Sequence, residues 1–137
     1  MLNDSAVLIV EDNVYLAIDL SQAVEESYGR VVGPVATVAE ALVLVEREPI
    51  AAALLDSQLA DRGITPVVMI LAAKGVPFVI HSATGLPPEI EQLVPDVPLL
   101  VEPLDAKTAV TRLAAEIKRR EGSEAACLTG SWFSLIA

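Results

Sequence analysis

Five short apolar runs, Ala6–Val10, Arg30–Val35, Ile50–Leu55, Pro77–His81 and Pro98–Val101, alternate with stretches of helical spacing along the 137 residues. Each run is about strand length and carries β-branched residues. Runs this continuously apolar suit strands covered on both faces, as in a parallel sheet crossed over by helices. The composition agrees: 53% of the residues are hydrophobic but only 4% are aromatic, so the core is aliphatic. With 20% charged residues, disorder is excluded for most of the chain.

Between the runs the spacing predicts helices. Val14 to Tyr28 carries Leu16, Leu20 and Ala23 on one face, widened by Ile18 and Val24, with Gly29 as a stop. Thr37-Val38-Ala39-Glu40 is a capping box opening a helix through Glu48, with Pro49 beyond it. Thr65 reads as an N-cap before Pro66, and Lys74-Gly75 as the close of that helix. Leu86 to Leu93 reads as a short helix. Asp105 caps a last one with Ala106, Ala109, Val110, Leu113 and Ile117 on its apolar face. Lys118, Arg119 and Arg120 are expected at its carboxyl end, where the helix dipole favours cations. Five strand–helix units imply right-handed crossovers and an α/β fold: a flavodoxin-like (βα)5 three-layer sandwich with a parallel sheet in the order 2-1-3-4-5. Residues 1–121 are expected to form this domain. Residues 122–137 follow as an apolar tail, with Cys127, Leu128, Trp132, Phe133, Leu135 and Ile136, expected to pack on the domain or on a neighbour such as a second copy.

Charge narrows the partners. Nineteen acidic residues against nine basic ones give a net charge of -10, which disfavours a basic face for nucleic acid or an anionic membrane surface. No apolar run reaches bilayer-spanning length, and Met1 to Ser5 lacks the basic start and apolar run of a secretory signal. The single cysteine, Cys127, cannot form an internal disulfide, so a cytoplasmic location is expected.

In an open α/β sheet, ligands sit at the carboxyl ends of the strands near the switch point, here between the first and third strands. Glu11, Asp12 and Asn13 follow the first strand, Asp56, Ser57 and Gln58 the third, Ser82 and Ala83 the fourth, and Glu102 and Pro103 the fifth. A lone acid at such a place is usually solvated or caps the next helix. Three acids converging on the switch point raise one another's pKa unless a cation joins them, and an all-oxygen, incomplete cage suits Mg²⁺. Flavin binding would want a Ser/Thr/Gly-rich phosphate loop where this chain has Glu11-Asp12-Asn13-Val14. A hydrolase would want a nucleophile–base pair, which the one histidine, His81, does not supply. His81 is read as a packed strand-end residue, and Asp61 and Arg62 as solvated.

These residues carry a resemblance. Ala6-Val7-Leu8-Ile9-Val10-Glu11-Asp12-Asn13 resembles the first strand and acidic pair of response regulator receiver domains. Ala53-Leu54-Leu55-Asp56 resembles their third strand and phospho-acceptor, and Pro77 to Ala83 their fourth strand, with Ser82 at the hydroxyl position. The resemblance covers about residues 5–121. It implies a phosphoprotein of a two-component phosphorelay rather than an independent enzyme. Asp56 would accept a phosphoryl group from a histidine kinase or phosphotransfer protein. Asp12, Asp56 and the backbone carbonyl of Gln58 would hold Mg²⁺, with Glu11 acting through water, and Ser82 would bind the phosphoryl oxygen. Since only residues 122–137 follow the expected domain, output is expected through contact with a downstream protein. The pattern breaks at Glu102, where the family has a lysine before a proline, and at Leu100, where it has an aromatic switch residue. The expected consequence is that cation binding survives and activation is weakened or altered. The alternative is a degenerate receiver that binds proteins without phosphorylation.

Overall fold

The computed structural model describes residues 2–82, 88–93, 99–101 and 105–126. Strands β1 (Ala6–Val10), β2 (Arg30–Val35), β3 (Ala52–Asp56), β4 (Phe78–Ser82) and β5 (Leu99–Val101) alternate with helices α1 (Val14–Glu26), α2 (Val38–Arg47), α3 (Thr65–Ala73), α4 (Pro88–Leu93) and α5 (Ala106–Ala126). The strands form one sheet in the order β2-β1-β3-β4-β5, and every pairing is parallel. This is the expected flavodoxin-like topology. β1 and β4 are buried along their whole length, which explains their unbroken apolar sequence. β2 lies at an edge and tolerates Pro34 there.

Alternate side chains of each strand enter separate cores. Leu8, Val10, Ala53, Leu55, Phe78 and Ile80 pack with Val38, Ala41 and Val45 of α2, Val67, Val68 and Leu71 of α3 and Ile90 of α4. Val7, Ile9, Ala52, Leu54 and Val79 pack with Leu20, Ala23 and Val24 of α1 and Ala109, Val110 and Leu113 of α5. Helices thus cover both faces of the sheet.

Several helix ends depart from the sequence reading. α1 stops at Glu26 in a Schellman motif: the Gly29 amide donates to the Val24 carbonyl at 2.9 Å and the Tyr28 amide to Glu25 at 3.0 Å. The left-handed residue is Tyr28, with φ 68°, and not the glycine. Gly29 is needed for space instead: a Cβ there would lie 2.7 Å from Leu2 Cδ1 and 2.9 Å from Val24 Cγ1. Ile18 is exposed rather than part of the buried stripe. α3 ends as expected, with Gly75 at φ 70°. At its start, however, Thr65 is already helical and Ile64 precedes it without a side-chain cap. Asp105 does cap α5, accepting from the Thr108 amide at 3.2 Å and its hydroxyl at 2.8 Å. Because α5 continues to Ala126, Lys118, Arg119 and Arg120 lie within the helix and not at its end. Arg119 pairs there with Glu116 at 3.0 Å. The helix also runs past residue 121; residues 127–137 of the expected tail lie outside the described residues.

Gly29→Ala is expected to destabilise the domain by roughly 1–3 kcal/mol through overpacking. Tyr28→Gly is expected to stabilise it by about 0.5–1 kcal/mol by removing the left-handed penalty at an exposed site. Urea unfolding of the two variants measures both.

Candidate functional site

Val7 and Ile9 of β1, Ala52 and Leu54 of β3 and Val79 of β4 point to the α1/α5 side. The next positions in that alternation are Glu11, Asp56 and His81. The register pairs Val10 with Leu55 and Asp56 with His81, so the three lie in a row across the carboxyl edge of β1, β3 and β4. Each apolar stripe therefore ends on a polar side chain at the switch point of the sheet.

Glu11 is only 4% exposed and His81 1%, and His81 Nε2 lies 3.3 Å from Glu11 Oε1. Asp56 is half-buried and Asp12 is exposed. One carboxylate oxygen from each of Glu11, Asp12 and Asp56 lies within 4.8 Å of the others. Burial, reinforced by the hydrogen bond with Asp56, pushes the Glu11 carboxyl up to about 8; the donation from the Asn13 amide opposes this. Burial also raises the Asp56 carboxyl from its ordinary value, against the opposing hydrogen bonds from Glu11 and the Gln58 amide. Burial and crowding thus disfavour the ionised forms of Glu11 and Asp56. The donor set is all oxygen and partly open, which fits a hard divalent cation such as Mg²⁺ and does not suit a soft metal.

Local hydrogen bonds hold the two acidic segments. The Asn13 amide donates to Glu11 Oε2 at 3.1 Å, while Asn13 Oδ1 caps α1, accepting from the Tyr15 amide at 3.0 Å and the Leu16 amide at 3.3 Å. After β3, the Gln58 amide donates to Asp56 Oδ1 at 3.3 Å, and the Ser57 amide to the His81 carbonyl at 3.0 Å. Gln58 and Gly63 form an antiparallel bridge, so residues 57–64 fold into a small hairpin. Asp61 at its tip is not merely solvated: its carboxylate accepts from the Val38 amide at 3.0 Å and the Ala39 amide at 3.2 Å. Those bonds hold the Asp61 carboxyl below the ordinary range.

The sequence-predicted residues divide accordingly. Glu11, Asp12 and Asp56 converge. Gln58 lies beside Asp56 in the hairpin, and Ser82 is the buried last residue of β4. Leu100 lies in β5 opposite His81. Glu102 lies outside the described residues. Sequence reading missed the approach of His81 to Glu11, although strand alternation and register could have found it. It also missed the reach of Asp61 to α2, for which the sequence holds no local signal.

No family model matches the chain, and no curated protein sequence matches it. Solved structures do. SdrG from Sphingomonas melonis Fr1 is 33% identical, with 85% of this chain and 98% of that one covered at a TM-score of 0.70. The response regulator PhyR from Brucella abortus is 30% identical with a TM-score of 0.74, covering 90% of this chain, which spans 51% of PhyR. The signal receiver domain of a Luxo repressor protein from Vibrio parahaemolyticus is 25% identical, covering 88% and 95% at a TM-score of 0.74. With the acidic cluster at the switch point of this fold, the chain belongs to the response regulator receiver domains, and is a phosphorelay-type signalling domain. Among the described residues, no helix is long and apolar enough to cross a membrane.

The raised Glu11 carboxyl sets a pH dependence. Its folded form holds a proton that the unfolded chain releases near 4.5, so this contribution to stability is full below about 4.5 and lost as pH rises through about 8. Glu11→Gln is expected to flatten that decline and to exceed the native protein in stability at pH 8 by roughly 1–3 kcal/mol. Denaturant midpoints at pH 5 and pH 8 measure the change.

Proposed function

We propose that this receiver accepts a phosphoryl group on Asp56 from the phosphohistidine of a histidine kinase or phosphotransfer protein. The observation that carries the reading is the meeting of Glu11, Asp12 and Asp56 at the β1/β3 switch point. An Asp56 carboxylate oxygen forms the new bond to phosphorus; the phosphorus–nitrogen bond of the donor breaks, and its electron pair leaves with the imidazole. Asp12, Asp56 and the Gln58 backbone carbonyl would hold Mg²⁺, with Glu11 acting through water. When bound, the cation supplies positive charge to the equatorial oxygens of the group in transfer. Ser82 donates a hydrogen bond to a phosphoryl oxygen. The new charge then biases the surface around β4 and β5, through which a downstream protein reads the signal in the cytoplasm.

Incubation with acetyl phosphate and Mg²⁺, followed by phosphate-affinity electrophoresis, tests this. The native chain is expected to shift, and Asp56→Asn and chelator-treated samples to remain unshifted. An undiminished shift in Asp56→Asn overturns the assignment. A native chain that binds Mg²⁺ but never shifts, even with kinase donors, would instead be the phosphorylation-independent binding module.

Glu102 stands where a lysine would pair with the phosphoryl group. Glu102→Lys is expected to raise the phosphorylated fraction at equal donor concentration about tenfold, since one charge-assisted hydrogen bond contributes roughly 1.5–3 kcal/mol. Equal fractions in the two proteins would show that the departure has no consequence.

A further inference from the structure

The hairpin after Asp56 is fastened at its tip to a helix far away in sequence. The first turn of α2 has amides that the helix itself cannot satisfy. Thr37 Oγ1 accepts from the Glu40 amide at 3.1 Å and donates to Glu40 Oε1 at 2.9 Å, so the helix is capped and the pair is closed through the hydroxyl. The amides of Val38 and Ala39 go instead to the two carboxylate oxygens of Asp61. A negative charge at the positive end of a helix, held by two charge-assisted bonds, is a firm attachment for an exposed loop. α2 is itself fixed: Val38, Ala41 and Val45 enter the core, and Lys74 Nζ donates to the Val45 carbonyl at 3.0 Å.

The hairpin is thereby held at three places. Its root is tied by the Ser57 amide to β4, Leu59 is buried in the core, and Asp61 joins the tip to α2. Within it, the Leu59 amide donates to the Arg62 carbonyl at 3.2 Å and the Ile64 amide to the Ser57 carbonyl at 3.2 Å. Gln58 lies at the root, next to Leu59 and paired with Gly63. A backbone carbonyl that ligates a small cation must be placed closely, and its only adjustable part is the loop that carries it.

We propose that Asp61 is a positioning residue for the cation site: its attachment to α2 fixes the hairpin that carries Gln58, whose amide bonds Asp56 Oδ1 and whose carbonyl would be the further ligand. The inference rests on the reading of Glu11, Asp12 and Asp56 as that site. It also makes α2 an anchor for the loop that follows the phospho-acceptor.

The test compares Asp61→Ala and Asp61→Asn with Thr37→Ala, which removes a cap from the same helix without touching the hairpin. Mg²⁺ titration by calorimetry is expected to show about tenfold weaker binding in Asp61→Ala, as for other residues that orient a metal ligand from outside the coordination sphere. Asp61→Asn, which keeps one acceptor, is expected to fall between, and Thr37→Ala to match the native chain. Hydrogen exchange without cation is expected to be faster at the Leu59 and Ile64 amides in Asp61→Ala only. Native-like Mg²⁺ affinity in Asp61→Ala, or equal weakening in Thr37→Ala, overturns the proposal. A native chain that takes up no Mg²⁺ removes the cation-site reading itself, whereas unchanged exchange in Asp61→Ala refutes the attachment on its own.

Discussion

The chain's organisation turns on one unfavourable contact set: carboxyl groups brought together at the end of an aliphatic sheet. Glu11 is buried beside Asp56, and its carboxyl is pushed up to about 8. Isolated, such an arrangement would come apart. It persists because β1, β3 and β4 are the most completely buried strands and fix the backbone on which the acids sit. The fold therefore imposes the burial and the crowding, a cost that a partner bringing positive charge would relieve. The acids of this cluster owe their placement to the strands that carry them to the switch point.

Polar side chains near the site mostly serve the backbone. Asn13 takes the first amides of α1, and Thr37 with Asp61 takes those of α2. The contacts of Asn13 and Asp61 tie the segments that follow β1 and β3 to the starts of α1 and α2. The loops around Asp56 are thus set by capping chemistry, while the acids within them are set by strand register. Both levels agree on the same geometry, which is what a site that must place oxygen atoms closely requires.

Much of this was legible in the sequence, for physical reasons. Strands buried on both faces leave unbroken aliphatic runs, and β-α alternation leaves few topologies, so the sheet order followed. The convergence of Glu11, Asp12 and Asp56 followed from the switch point. Starts and ends were less legible. Gly29 has the composition of a left-handed stop, yet the left-handed residue is Tyr28, and the glycine makes room for Leu2. Thr65 looks like a cap, but the helix has already begun there. Asp61 looks solvated because its partners are amides more than twenty residues earlier, and no local pattern records a bond that only the tertiary fold creates. His81 lay within reach of the same alternation argument that grouped the acids, but as a lone histidine it was assigned to packing.

Helix amides at the start of α1 and α2 are already engaged by Asn13, Thr37 and Asp61, so these termini are not open for an incoming anion. His81, the basic side chain placed against the cluster, faces Glu11. The sequence adds another acid, Glu102, after β5, where the resemblance to receivers would put a lysine. On the proposed function, positive charge for a phosphoryl group would then come chiefly from a metal ion held by the acids. Cation occupancy and phosphoryl occupancy would then be coupled more tightly than where a lysine shares the charge. On that reading the residues proposed to set cation placement, Asp12, Asp56 and the hairpin bearing Gln58, would also set how long a phosphoryl group is held.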